Sequence, residues 1–171
     1  MSTNVITAGP SAGKSSTIRE LAARGHQTLP EAARIRFDQA ISEGEEPAEV
    51  RKEPDFHEQI ESLDRQIEGH INTCDTTFLD RSLADNIAYR RLNPDADVPE
   101  SLRKEVENKY STVFVLERIE FKDDDVRSED DDEAEQIHQE LIQTYKDLGY
   151  DPVIVPVLPV DERADFIESN L

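Results

Sequence analysis

The chain has 171 residues, 36% apolar and 34% charged, with 39 acidic side chains against 19 basic ones and a formal charge of −20. That length suits one domain with a buried core. So negative a surface repels nucleic-acid backbones and anionic membranes, which excludes both as non-specific partners.

The acid excess comes with only six lysines, a composition suited to concentrated salt, as in halophiles; an ordinary acidic cytosolic protein is the alternative. Cys74 is alone, so no disulfide framework exists within the chain. No signal-peptide pattern and no long apolar run appear, so a cytoplasmic protein is expected.

The first element is a short strand, V-I-T at 5–7, followed by T-A-G-P-S-A-G-K-S-S and a helix-like segment, T-I-R-E-L-A-A-R. The spacing nearly matches G-x-x-x-x-G-K-[ST], with Ala8 where the first glycine falls. Phosphate binding needs inward-pointing amides in a tight loop and a helix N-terminus behind them. Gly9, Pro10, Ser11, Ala12, Gly13, Lys14, Ser15 and Ser16 are the expected cradle for a nucleoside triphosphate, ATP or GTP. Lys14 would neutralise the β- and γ-phosphates, and the Ser15 hydroxyl would ligate Mg²⁺. Glycine is required only where φ is positive or a Cβ would collide, and Gly13, directly before the lysine, is the tight position. The alternative is a plain strand–turn–helix with a surface lysine.

The second run, Q-T-L-P at 27–30, leads into P-E-A-A-R. Glu31 is either a base that takes the proton of an attacking hydroxyl or a first-turn glutamate favoured by the helix dipole. Arg34 and Arg36 are candidate anion contacts, or solvent-facing helix charge. Residues 44–53 read as a connection. Phe56, Ile60, Leu63, Ile67 and Ile71 then form one apolar stripe at helical spacing.

The third run, T-T-F-L-D at 76–80, continues as R-S. An aspartate at the C-terminal end of a buried parallel strand faces the ligand crevice. Asp80 is therefore a candidate Mg²⁺ support through water, and Arg81 a candidate contact to acceptor or phosphate. The alternative is helix capping, with Ser82 the better cap. Residues 93–99 read as a second connection.

After the fourth run, S-T-V-F-V-L at 111–116, residues 117–132 read as a mobile, lid-like loop. Arg127 is a lone base among its acids, placed to close over a transferring phosphoryl; Lys122 and Arg118 are lesser candidates. Ile137, Leu141, Tyr145 and Leu148 form a helical stripe ended by Gly149. The fifth run, P-V-I-V-P-V at 152–157, precedes a closing helix over 161–171. His26, His57, His70 and His138 show no metal-ligand spacing.

Strand–helix alternation of this kind predicts an α/β fold, a parallel sheet with helices on both faces. No linker or repeat divides residues 1–171, so a single domain is expected.

With these residues in hand, the chain resembles the small P-loop ATPases of the AAA-domain type, whose relatives include the nicotinamide-riboside kinase domain and nucleoside kinases. The resemblance runs nearly end to end, through I-T-A-G-P-S-A-G-K-S-S, G-H-Q-T-L-P-E-A-A-R, F-L-D-R-S-L-A-D-N-I-A-Y, Y-S-T-V-F-V-L, D-V-R-S-E-D and L-G-Y-D-P-V-I-V-P-V-L-P-V-D-E-R-A-D-F-I. It implies a P-loop NTPase, nucleoside- or nucleotide-kinase-like, with a five-stranded parallel sheet. Nucleoside kinases carry a glutamate after strand two, an acid-Arg-Ser after strand three and a basic lid; Glu31, Asp80-Arg81-Ser82 and Arg127 resemble those parts.

The expected function is a Mg²⁺-dependent kinase that transfers the γ-phosphoryl of ATP to a small nucleoside-like or related metabolite. Its catalytic set is Lys14, Glu31, Asp80, Arg81 and Arg127, with Ser15 and Asp80 on the metal. The alternative is an ATPase or GTPase switch that signals to a protein partner through 117–132 and the helix at 31–44. A pure binding module with a degenerate loop conflicts with the intact Lys14 and Ser15.

Overall fold

The structure, a computed structural model, describes residues 2–10, 12–71, 75–118 and 129–171, the last range without the side chains of 129 and 130. The expected strands all form: β1 Thr3–Thr7, β2 Gln27–Leu29, β3 Thr77–Asp80, β4 Thr112–Leu116 and β5 Val153–Val155. They make one parallel sheet in the order β2-β3-β1-β4-β5.

Alternate residues of a strand face opposite sides of the sheet. Val5, Leu79, Val113 and Val115 therefore enter one core, with Leu83, Ile87, Leu102 and Tyr145. Ile6, Phe78, Phe114 and Leu116 enter the other, with Ile18, Leu21, Ala164 and Ile167. Both faces are covered, which is why these strands read as nearly continuous apolar runs. Helices α1 Lys14–Ala23 and α8 Val160–Ser169 pack together on the second core. Helices α5 Asp85–Leu92 and α7 Glu129–Asp147 pack together over the first.

The remaining helices are α2 Ala32–Glu43, α3 Pro47–Val50, α4 Phe56–Glu68 and α6 Glu100–Val106. The short α3 lies in the expected connection at 44–53, and α6 has no counterpart in the periodicity reading. Of the expected loop at 117–132, residues 119–128 lie outside the described residues and 129–132 belong to α7. No helix among the described residues is long and apolar enough to cross a membrane.

Helix α4 departs from its apolar pattern. Its buried residues are Ile60, Glu61, Asp64 and Glu68, whereas Phe56, Leu63 and Ile67 are only half-buried. The helix packs on α2, where Phe56 stacks on Phe37, and on α5, which presents donors. Arg90 Nε donates to Glu61 at 2.7 Å, Asn86 Nδ2 to Asp64 at 2.6 Å, and the Leu83 amide and Tyr110 hydroxyl to Glu68 at 3.0 and 2.9 Å. Buried carboxylates are tolerated where such partners meet them.

Asp64 has no cation among these partners. Burial pushes its carboxyl up to about 8, Asn86 opposing and Glu68, Asp85 and Glu31 adding. With the folded value above the unfolded one, the native state holds the extra proton between the two, so stability falls as pH rises through that window. Asp64→Asn keeps an acceptor for Asn86 and is expected to be more stable than wild type above pH 8 by on the order of 2 kcal/mol, converging with it near pH 4. Urea melts at the two pH values check this.

Candidate active site

At the C-terminal end of β1 the chain turns through residues 8–13 into α1. Ala8 is fully buried in the second core, and its φ is not among the positive values found at non-glycine residues. No glycine is needed there. Gly13 has a φ of 74°, and a Cβ on it would lie 2.9 Å from Arg163 Nη1. Gly13→Ala therefore meets left-handed strain of about 1–2 kcal/mol and a guanidinium in the way. The expected result is a melting temperature lower by about 2–8 °C together with loss of the shift that nucleotide produces, both read by thermal melting.

The loop carbonyls face away from the crevice. Gly13 O accepts from the amides of Ser16 and Thr17 at 3.2 and 3.3 Å, and Ala12 O accepts from Arg163 Nη1 at 2.9 Å. Across a trans peptide the next N–H points the opposite way, so the Gly13 and Lys14 amides aim into the crevice. The first turn of α1 holds no acidic residue and no capping side chain, despite the acid-rich chain. Its N-terminal dipole and amides are left for an anion.

Not every expected cradle residue contributes an amide. The Gly9 N–H goes to His138 Nδ1 at 3.4 Å, and a Gly9 Cβ would come within 2.9 Å of His138 Cβ and 3.0 Å of Ala134 O. Gly9 thus allows α7 to approach the loop. Pro10 is exposed and has no N–H, Ser15 is exposed, Ser16 is partly buried, and Ser11 lies outside the described residues.

Asp80, at the end of β3, and Glu31, at the start of α2, converge on Lys14. Lys14 Nζ is 3.0 Å from Glu31 Oε2 and in contact with Asp80 Oδ1, and the lysine side chain is only 10% exposed. Glu31 Oε1 accepts from Arg81 Nε at 3.0 Å. Arg81 Nη1 also reaches Thr7 Oγ1 at 3.3 Å and Asp85 Oδ1 at 3.4 Å, and the guanidinium lies 5.4 Å from the Tyr89 ring. Four of the five expected catalytic residues, Lys14, Glu31, Asp80 and Arg81, therefore form one ionic chain. Arg127 lies outside the described residues.

The electrostatics follow from this geometry. Burial pushes Glu31 up, but Arg81 and Lys14 together pull its carboxyl below the usual range. For Asp80 burial prevails over the Lys14 charge, and its carboxyl is raised. Burial opposes the Arg81 charge, yet Tyr89, Glu31, Asp85 and Asp80 raise its pKa above the ordinary arginine value. Arg81 has a φ of 67°, a left-handed conformation that costs a non-glycine residue about 1–2 kcal/mol. Its amide bond to Ile6 O at 3.0 Å and its three side-chain partners hold it there. Such strain concentrates at functional sites.

Asp85 was not anticipated as a site residue. Buried, it accepts from Thr7 Oγ1, from Tyr145 OH at 2.6 Å and from the Ser82 amide at 2.9 Å, and it fixes the far end of Arg81. Ser82 Oγ in turn accepts from the Ala84 amide at 3.1 Å. The spacing S-x-x-D at 82–85 is the sequence signal for this reciprocal box. Ser82 thus bonds the backbone ahead of α5, whose N-cap position is Ala84, and it uses none of the Asp80 or Arg81 side-chain atoms of the ionic chain.

Other candidates fall elsewhere. Arg36 is occupied by Glu53 at 3.3 Å and Gln59 at 2.8 Å, and Arg34 sits 3.6 Å from Asp38 on the exposed face of α2. Neither joins the ionic chain. Arg118 pairs with Asp131 and, at 3.0 Å, with Glu135, and its Cδ is 3.4 Å from where a Gly9 Cβ would stand. Among the described candidate bases of the 117–132 stretch, it is the one beside the loop. An open groove of 540 Å³ between α2 and α4 contains none of the ionic-chain residues.

Mg²⁺ takes oxygen ligands and keeps several from water and phosphate rather than from an all-protein cage. Among the described residues no three His, Cys, Asp or Glu side chains converge on one point. One hydroxyl, Ser15, and one carboxylate, Asp80, beside a phosphate cradle fit that preference. In this structure the Lys14 ammonium is the cation resting on Asp80.

A parallel five-stranded sheet with an amide-lined loop, lysine and hydroxyl after its central strand, and an aspartate ending the neighbouring strand, defines a P-loop nucleotide-binding fold. The chain belongs to the family described as AAA domain, which matches residues 3–163. No curated protein matches it. Among solved structures, NadR in complex with NAD and AMP-PNP is similar at a TM-score of 0.72 and 16% identity, over 99% of this chain and 48% of that one. YorR of Bacillus subtilis in complex with phosphorylated GDP gives 0.63 and 12%, over 98% and 94% of the two chains. Thymidylate kinase from Ehrlichia chaffeensis gives 0.63 and 11%, over 99% and 98%. At these identities the likeness is one of fold, and this chain spans about half the length of NadR.

Proposed function

We propose that the protein is a kinase that uses ATP with Mg²⁺, or GTP in its place, to phosphorylate a hydroxyl of a small nucleoside-like or related metabolite. The observation that carries this reading is the ionic chain. Glu31 and Arg81 extend it away from Lys14 toward Tyr89, so a carboxylate and a guanidinium stand beside the phosphate cradle. A carboxylate there can take the proton of an attacking hydroxyl, and a guanidinium can bind the charge of the transferring group. The AMP-PNP in NadR and the phosphorylated GDP in YorR support a nucleotide in the cradle.

In the proposed reaction the acceptor oxygen attacks the γ-phosphorus, and the bond from that phosphorus to the β,γ-bridging oxygen breaks. The diphosphate leaves, and the acceptor's proton passes to Glu31. Lys14 moves from Glu31 and Asp80 onto the phosphates, which frees one Glu31 oxygen and removes one of the two cations that hold its basicity down. Arg81 stays on the acceptor side and stabilises charge on the transferring group. Ser15 and Asp80 would hold the metal, which supplies charge neutralisation when bound. Arg127 is proposed as a further cation brought over the phosphoryl.

The test is incubation with ATP, Mg²⁺, KCl and a pool of nucleosides, nucleotides and vitamins, with the γ-phosphate followed by mass. Transfer to a pool member supports the kinase; release only as inorganic phosphate, indifferent to the pool, overturns it in favour of a switch acting through a protein partner. We also read residues 1–171 as one cytoplasmic unit adapted to salt. Its acid excess predicts a melting temperature that rises by several degrees from about 0.1 M to about 2 M KCl, as screening relieves self-repulsion.

A further inference from the structure

Arg163, in the first turn of α8, is 3% exposed and makes no ion pair among the described residues, in a chain with 39 acidic side chains. Its guanidinium meets only neutral oxygens. Nη1 donates to Ala12 O at 2.9 Å and to Thr17 Oγ1 at 3.3 Å, Nη2 donates to Leu158 O at 3.2 Å, and Nε has no partner among the described residues. Burial lowers its pKa, with no neighbouring charge acting the other way. A buried, unpaired cation is costly unless something compensates it.

Its position indicates what does. The Ala12 carbonyl that it holds belongs to the same peptide as the Gly13 N–H, so pulling the carbonyl outward turns that N–H into the phosphate crevice. The absence of a side chain at Gly13 lets Nη1 approach the loop so closely. Thr17 Oγ1, its second partner, also bonds Gly13 O and ties the guanidinium to the first turn of α1. Arg163 thus stands behind the loop, on the side opposite the crevice.

We infer that Arg163 is a positioning residue of the phosphate site: it sets the orientation of the Ala12–Gly13 peptide, and its buried charge is answered by the phosphate on the other side of the loop. This rests on the phosphate-binding reading of residues 9–16. A guanidinium that merely tethered α8 to the loop would affect melting but not the dependence of anion affinity on charge.

The test measures binding of inorganic triphosphate and of MgATP by calorimetry to wild type, Arg163→Gln and Arg163→Lys, with melting curves for each. Glutamine keeps a donor and removes the charge; lysine keeps the charge and removes the fork. Arg163→Gln is expected to bind inorganic triphosphate about tenfold or more weakly, and Arg163→Lys to stay within about threefold of wild type. Wild-type affinity in Arg163→Gln, or equal losses in both variants, would overturn the inference. If Arg163→Gln does not fold, Arg163→Lys decides alone, and a tenfold loss there sinks the charge role. Failure of wild type itself to bind either ligand would instead overturn the phosphate-binding reading.

Discussion

Lys14→Ala is expected to abolish the rise in melting temperature that MgATP gives the wild type and to leave no measurable phosphoryl transfer. The ammonium lies between the loop and the two carboxylates, and among the described residues no other lysine pairs with either of them. Binding stabilises a native state by mass action, so a wild-type shift that vanishes in the variant reports lost affinity directly. The variant also has a defect without ligand. Removing Lys14 leaves Glu31 and Asp80 facing each other with Arg81 as their remaining cation. Losing one partner of a largely buried pair costs about 2 kcal/mol here, below the fully buried figure because Glu31 is 27% exposed. Asp80 already titrates above its ordinary value and would move further up. A carboxyl raised on folding lowers stability as pH rises, so the ligand-free defect should grow from pH 5 to pH 8 and nearly vanish at the acid end. Urea melts across that range, with and without MgATP, measure both effects; a variant that still gains its full thermal shift would remove Lys14 from the phosphate site.

Glu31→Gln is expected to slow transfer by about 10²-fold or more while leaving ATP affinity at or above wild type. The two effects separate because Glu31 has two roles. In the ligand-free protein it holds Lys14 and Arg81, and replacing a carboxylate by an amide makes that cluster more positive by one charge. A triphosphate should then bind no worse, since the lysine is less firmly held away from it. Turnover falls because an amide takes no proton. Steady-state rates with calorimetric ATP affinities test the split. An unchanged rate removes Glu31 as the base, and a loss confined to ATP binding would reduce it to a structural partner of Lys14.

Local features of the chain were readable as they stood. Val5-Ile6, Phe78-Leu79 and the residues of β4 are apolar in sequence because both sheet faces are covered, so each strand announces itself without reference to its neighbours. The loop is similarly self-contained. Gly13 precedes Lys14 at a helix start, and the need for positive φ is a property of that one residue. Ala8 departs from the pattern harmlessly for the same local reason. Asp80 and Arg81 follow from standing at the C-terminal end of a central strand.

The partners of charged residues were not readable. His138 reaches Gly9 across 129 positions of the chain, and Arg163 reaches Ala12 across 151. Nothing in the segments around either residue marks the contact. On α4, apolar spacing pointed to Phe56, Ile60, Leu63 and Ile67; Ile60 is buried, but the other three are half-buried, and Glu61, Asp64 and Glu68 are buried against Arg90 and Asn86 of α5 and against Tyr110. Arg36 reads in sequence as an anion contact or solvent-facing charge, whereas Glu53 from the turn after α3 and Gln59 of α4 occupy it.

By itself, the sequence determined the strand runs, the amide-lined turn with Lys14 and the aspartate ending β3, since backbone preference and side-chain alternation act within a few residues. Only the tertiary structure decided that Lys14 rests on Glu31 and Asp80, that Asp85 anchors Arg81, and that Arg163 bonds Ala12 O with no ion pair among the described residues. Coulomb attraction and burial depend on distance in space, and a chain with 39 acids gives each base too many possible partners for order along the sequence to choose among them.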